Sequence, residues 1–242
     1  MKSSLSAEQL ELFETSYGVE LARAVAATDP EAFRSRVPAT WLELIEHPGA
    51  ETIRAIWAPA LAVLPRFVDY LSRSVDGAAL LEVHGFPTLV MALPDWDEQN
   101  CELGPGFCWM GIPTAGAQIE AFIAETGPIP ASLEQLWRVA NFINIKEHSL
   151  LCSLDATTRA MTEAPQVLPP LPKVEEPEGA LECLQIAVIN HQMVTCMTRP
   201  PGQRHWDDRL VQRFRRSDEI SRSIRKRLDD KLADWSFSEW SA

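Results

Sequence analysis

The hydrophobic pattern of the chain changes near Gly77, and this change constrains the fold more than any other feature of the sequence. Before it, apolar residues recur three or four positions apart, which is typical of amphipathic helices. After it, short apolar and β-branched runs alternate with turn residues, which is typical of antiparallel strands. The sequence therefore predicts an α+β protein, with a helical unit over 1–76 and an α+β domain over 77–242 in which helices flank an antiparallel sheet. The pattern leaves open whether the two pack as a single body.

The helical unit has clear start and break signals. Ser6 followed by Gln9 is a capping-box pattern, in which each residue's side chain bonds to the other's backbone N–H. Residues 51–75 carry a broad apolar face, but Pro59 and Pro65 lie within it. Because proline removes a helical hydrogen bond and clashes with the preceding turn, these two residues predict a kink or a break.

The first strands should form a hairpin followed by a polar loop. The apolar runs 79–84 and 87–93 are separated by Gly85-Phe86, a turn signal. The next stretch, 94–111, is rich in Gly and Pro and carries four acids and two tryptophans, so we expect a loop there.

A pair of helices with clear start and stop signals follows this loop. Thr114 is the expected N-cap of its first helix, and Gly127 stands where a left-handed C-terminal cap belongs. Ser132 with Gln135 forms a second capping-box pattern. We expect the hinge between them, Gly127–Pro130, to hold the helices at a fixed angle and to serve packing.

The helical pair and its hinge carry nine residues at characteristic spacings: Ile119, Phe122, Gly127, Ile129, Pro130, Leu136, Trp137, Ala140 and Asn141. Their order resembles the opening motif of the SMI1/KNR4-type, or SUKH, superfamily. In that family an amphipathic helix, a Gly-x-x-Leu-Pro-like turn and a second helix lead into an antiparallel sheet. Here the turn is one residue shorter, and Asn141-Phe142 replaces the usual glycine ending. The resemblance covers about Ile112 to the end of the chain.

The rest of the chain fits the same plan. Strands are expected over 142–145, 149–155 and 209–214, and 180–200 should form two strands that turn near Asn190-His191. Between them, the Pro-rich stretch 162–179 predicts an extended surface crossover in preference to an SH3-type ligand. A final helix is expected from the i+4 spacing of four residues, similar to the last element of the family. Those residues are Ile220, Ile224, Leu228 and Leu232.

The charge of the chain is unevenly distributed. The net charge is -12, but residues 199–231 carry eleven Lys and Arg against six Asp and Glu. The acids of that stretch recur at helical spacings, which favours a solvated helix with internal ion pairs over a nucleic-acid surface. An acidic body attracts basic proteins and repels phosphates. No apolar run is long enough for a membrane span or a signal core, so a cytoplasmic location is expected.

Sequence templates for catalysis and cofactors are absent. The chain has no G-x-S-x-G, H-E-x-x-H, Walker or dinucleotide-binding motif, and its five cysteines are scattered. We therefore expect no cofactor, no metal and no catalytic residue. An enzyme whose pocket is assembled from distant residues stays open as an alternative, with Cys108 or Cys152 beside His84 or His148 as the candidate pairs.

The candidate partner-binding residues lie in two acidic segments of the chain. Carboxylates steer a basic partner, and tryptophans supply apolar anchor area. Acids of the Pro-rich crossing form a second, less secure part of this surface. The predicted partner-binding residues are Asp95, Trp96, Asp97, Glu98, Glu102, Trp109, Glu175, Glu176 and Glu178.

The resemblance implies a function. Bacterial members of the SUKH superfamily look like immunity proteins, which bind and neutralise a cognate polymorphic toxin. Many such toxins are nucleases with basic clefts for phosphate. The resemblance therefore implies a basic toxin as partner, with neither nucleic acid nor membrane bound directly. A scaffold or regulatory module, with the helical unit docking one protein and the sheet another, is a further alternative.

Overall fold

The computed structural model describes most of the chain in separate segments, and all structural statements below concern those segments. Together they form an α+β fold, as the change of pattern at Gly77 predicts. The described residues are 5–17, 35–83, 86–93, 106–145, 149–151, 167–168, 181–189, 193–207, 209–214 and 220–227.

Helices precede the sheet and return once within it. Four described α-helices lie before the first strand, and two lie between the third and fourth strands as the helical pair that follows the predicted loop. The described α-helices are α1 (Ala7–Tyr17), α2 (Ala39–Glu46), α3 (Ala50–Ile56), α4 (Pro65–Ser74), α5 (Gly116–Thr126) and α6 (Ala131–Val139), with a 3-10 turn at Ala58–Ala60.

Every described strand pairing is antiparallel, and all ten strands belong to one sheet. The order is β1-β2-β3-β4-β5-β7-β8-β9-β10, with β6 paired to β7. Strands β5 and β6 follow one another along the same edge of β7, since β5 pairs with 187–189 and β6 with 181–182. The strands are β1 (Gly77–Val83), β2 (Phe86–Ala92), β3 (Phe107–Gly111), β4 (Ile143–Ile145), β5 (Ser149–Leu151), β6 (Val167–Leu168), β7 (Leu181–Ile189), β8 (Met193–Arg199), β9 (Arg209–Phe214) and β10 (Ile220–Arg227).

The first three strands are buried on both faces. Leu80, opposite Leu89, belongs to the main core, which also contains buried residues of α2 to α6. The next position, Leu81, belongs to a second cluster with Phe13 of α1 and Phe107. Because both faces are covered, these strands are continuous apolar runs without polar alternation.

Helix α1 closes the second face, and its start was predictable. The backbone N–H of Ser6 donates to Oε1 of Gln9 at 2.9 Å, and the N–H of Gln9 donates to Oγ of Ser6 at 3.1 Å. These reciprocal bonds confirm the capping box. The ring of Phe13 meets Phe107 edge to face, with centroids 5.2 Å apart.

The prolines interrupt the helical region as expected. Helix α3 ends at Ile56, Pro59 lies in the 3-10 turn, and Pro65 is the first residue of α4. At that position proline loses no helical hydrogen bond, because the first N–H groups of a helix have no intrahelical acceptor. The predicted break is confirmed.

The helical pair is present, but two of its predicted caps are wrong. Helix α5 begins after Ala115 rather than Thr114, and α6 begins after Pro130, which places Ser132 inside the helix. Neither helix has a side-chain cap hydrogen bond, so Ser132 and Gln135 form no capping box. Gly127 is confirmed as the C-terminal cap, with a φ of 94° and an N–H that donates to the carbonyl of Ile123.

Two segments differ from the sequence prediction in secondary structure. Residues 107–111, predicted as loop, form β3, and residues 220–227, predicted as helix, form β10. Ile220 and Ile224 are four positions apart, and this even spacing puts two residues on one face of a regular strand as well as of a helix. Periodicity could not separate the two states there. The remainder of the predicted final helix lies outside the described residues.

Other predicted strands are confirmed, with shifted bounds. The hairpin is β1–β2, and the pair turning near 190–191 is β7–β8. Strand β9 matches 209–214, and β4 and β5 fall within the runs at 142–145 and 149–155. Within the Pro-rich stretch 162–179, two residues form β6.

Candidate functional site

The predicted partner surface falls mainly outside the described residues, although the structure fixes where its segments leave and rejoin the sheet. Trp109 is the one predicted member that is described. The others are Asp95, Trp96, Asp97, Glu98, Glu102, Glu175, Glu176 and Glu178.

The acidic segment 94–105 has a firm base. It leaves the end of β2 and returns at the start of β3, two neighbouring strands of the sheet. The N–H of Leu93 donates to the carbonyl of Gly106 at 2.8 Å, and the N–H of Asp76 donates to the carbonyl of Ala92 at 2.9 Å. The strands beneath are packed on both faces, so the two ends of the segment are held in fixed positions.

Trp109 is a strand residue that packs inside the fold. Its half-buried ring meets Phe13 of α1 at 6.0 Å and Phe142 at 5.4 Å between centroids, both edge to face. Its predicted place in a polar loop is wrong. The ring joins α1 to the sheet next to the base of the acidic segment.

The two acidic segments leave from opposite ends of the sheet. Strands β2 and β7 run in the same direction, because four antiparallel steps separate them in the sheet order. Segment 94–105 follows the C-terminal end of β2, whereas segment 169–180 precedes the N-terminal end of β7. We name the first the loop end and the second the hinge end, since the α5–α6 pair follows β3 there. The strand ends to which the two segments attach therefore lie at opposite ends of the sheet.

The hinge end is organised around Arg199, a residue that sequence reasoning did not single out. Its Nε donates to Oε2 of Glu182 on the neighbouring strand at 2.5 Å, and both side chains are largely buried. Its Nη1 donates to the carbonyl of Thr126 at 2.7 Å and to that of Arg204 at 3.3 Å. The guanidinium carbon lies 4.1 Å from the ring centroid of Trp206. We name these five residues the Arg199 clamp.

The clamp joins the helical hinge to the loop after β8. The indole N–H of Trp206 donates to the carbonyl of Thr126 at 3.3 Å, and its backbone N–H donates to that of Pro128 at 3.1 Å. A Cβ on Gly127 would lie 2.2 Å from the carbonyl oxygen of Arg204. The hinge thus needs glycine for its backbone angle and for this close approach. The sequence predicted that the hinge serves packing, and the loop after β8 is the segment against which it packs.

Cys108 has no suitable chemistry for the enzymatic alternative. It is fully buried in the main core, and burial raises the pKa of its thiol to about 12. The thiol therefore stays protonated at neutral pH and is a weak nucleophile. His84, His148 and Cys152, the other members of the candidate pairs, lie outside the described residues.

Phe86 is the most exposed large apolar side chain of the described part. It begins β2 at the hinge end and is 67% exposed. Arg36 donates to Glu82 at 2.9 Å on the adjoining strand. Sequence reasoning assigned Phe86 to a turn, whereas it is the first residue of β2.

Among the described side chains, no group of three or more His, Cys, Asp or Glu is placed to hold a metal ion. Within the same residues, no helix is both long and apolar enough to cross a membrane. No protein-family model, curated protein or solved structure matches this chain.

Proposed function

We propose that this chain is an immunity protein that binds a basic toxin and covers its active or functional surface. The observation that carries the proposal is the acidic segment 94–105, whose two ends are fixed by backbone hydrogen bonds on a sheet packed on both faces. The resemblance to the SUKH superfamily and the net charge of -12 point the same way.

The proposed mechanism is occlusion without a reaction. Carboxylates increase the rate at which a basic partner is captured and oppose the wrong partners, because like charges repel. Segment ends that are already held in place lower the entropy lost on binding. Trp96 would add buried apolar area at the centre of the contact, where a few aromatic anchors supply most of the binding energy. A nuclease toxin, whose cleft is basic to hold phosphates, fits this surface.

The test is protection against the product of a neighbouring toxin gene, with affinity measured by calorimetry. The loop variant replaces four carboxylates by amides and should lose about 100-fold in affinity, with loss of protection. A control variant makes the same charge change on exposed helix residues and should stay within about threefold of the wild type. The loop variant is Asp95→Asn, Asp97→Asn, Glu98→Gln and Glu102→Gln, and the control is Glu8→Gln, Glu11→Gln, Glu120→Gln and Glu125→Gln.

Two results would contradict the proposal. The first is a loop variant that protects and binds as well as the wild type. The second is an affinity that does not change between about 0.05 M and about 0.5 M salt, since an electrostatic contact must weaken with screening.

The scaffold alternative has less support from the packing. In that hypothesis the helices before the sheet would offer apolar faces to another protein. The large apolar residues of α2 and α4, such as Trp41 and Phe67, are instead buried in the main core. Neighbouring genes separate the hypotheses further, because a biosynthetic cluster would favour an enzyme.

A further inference from the structure

Strand β10 is an edge strand of the described sheet, the last in the strand order. It pairs with β9, and among the described strands it has no second neighbour. Its other backbone edge therefore has N–H and carbonyl groups that no described strand pairs, and such an edge can accept an added strand.

The β9–β10 pair is strongly basic. Across residues 209–227 the sequence has eight Lys and Arg against two Asp and Glu. Within the two described strands every charged residue is a cation. These are Arg209, Arg213, Arg222, Arg225, Lys226 and Arg227.

The strand register brings like charges together. Arg227 is directly opposite Arg209 in the β9–β10 ladder. Like charges at directly opposite positions destabilise an antiparallel pair. A bound anionic group would offset the repulsion.

We infer that β10 binds an acidic extended segment of a partner protein, which adds to the sheet as a further strand. The edge of β10 that no described strand pairs supplies backbone hydrogen bonds, and the Arg and Lys content of β9 and β10 favours a segment rich in carboxylates. A second copy of β10 fits less well, because it would set cations against cations. Single-stranded nucleic acid also fits less well, since Phe214 is the one aromatic residue of the two strands and stacking needs several.

The probe is a capped peptide of the length of β10 that alternates glutamate and valine. Fluorescence anisotropy with the full chain at low salt should show saturable binding. Replacing two valines by proline keeps the charge but prevents strand pairing, and should weaken binding about tenfold. The variant Arg222→Gln/Arg225→Gln should weaken binding about tenfold as well, whereas Arg54→Gln/Arg73→Gln, with the same charge change on α3 and α4, should not.

Several results would overturn the inference. Equal binding of the proline-containing peptide would mean attraction by charge alone. Tighter binding of oligo-deoxythymidylate would mean a nucleic-acid surface. No peptide binding, together with self-association of Arg222→Gln/Arg225→Gln, would mean that the cations only prevent pairing between copies. The peptide measurements on the wild-type chain decide the matter even if that variant does not fold, and the toxin assay above is independent of them.

Discussion

Replacing Arg199 by alanine should destabilise the protein by about 3 kcal/mol. The guanidinium makes a largely buried ion pair with Glu182, two hydrogen bonds to backbone carbonyls and a stacking contact with Trp206. Both partners of the ion pair keep some exposure, so solvent screening limits its contribution to about 1 kcal/mol. The two carbonyl bonds together add about 1 kcal/mol, and the stacking contact adds about 1 kcal/mol.

Urea unfolding followed by circular dichroism measures this loss, and a loss of about 3 kcal/mol should lower Tm by roughly 6–12 °C in a chain of this size. Arg199→Lys is the matched control, because lysine keeps the charge but has no planar fork. It should recover about 1 kcal/mol of the loss. A cycle with Glu182→Ala isolates the ion pair.

Hydrogen exchange locates the effect. The amide of Trp206 donates to Pro128, and that of Asp207 donates to Thr198. In Arg199→Ala these two amides should lose more protection than the amides of the β1–β2 hairpin. The hypothesis is that the Arg199 clamp stabilises the fold locally, between the hinge and the loop after β8. A loss of stability below about 0.5 kcal/mol, or a uniform loss of protection across the chain, would refute it.

The remaining predictions concern other parts of the fold. Gly127→Ala should cost about 3 kcal/mol and Gly202→Ala about 1 kcal/mol, since both have positive φ but Gly127 alone also approaches Arg204; equal losses in thermal unfolding would contradict this. Ser6→Ala should cost about 1 kcal/mol in the same assay through loss of the α1 cap, and an unchanged Tm would count against the cap. The pKa of Cys108 is raised from 9.0 to about 12, so above pH 9 the unfolded chain loses this proton before the folded one does. Wild-type stability should therefore fall relative to Cys108→Ala by up to about 1.4 kcal/mol per pH unit, and parallel stability curves from pH 8 to 11 would exclude this.

Local signals in the sequence were sufficient for the parts of the fold that depend on neighbours in the chain. The capping box at Ser6 and the glycine cap at Gly127 each depend on contacts within a few residues. The β1–β2 hairpin likewise needs only two runs and a turn. Fold class followed from these elements.

Other features depend on burial or on distant residues. Strand β3 is flanked by glycine and by an acidic, Pro-containing segment, so its five residues were grouped with the loop. In β10, the spacing of Ile220 and Ile224 is common to helix and strand. Arg199 meets the carbonyl of Thr126 across 73 positions of sequence, and no local pattern indicates that contact. The place of Trp109 inside the fold had no local signal either, and the partner surface stays a prediction.

The strand ends to which the two acidic segments attach are far apart, and this distance limits the valency of any complex. A strand the length of β7, nine residues, spans about 30 Å, so a small globular partner bound to the loop end does not reach the hinge end. A partner that touches both must straddle the sheet, and its two contacts would then reinforce each other as tethered sites do. If the two ends instead bind separate molecules, one chain can hold two partners at once. Titration of the chain with both partners to saturation would then give two bound molecules per chain.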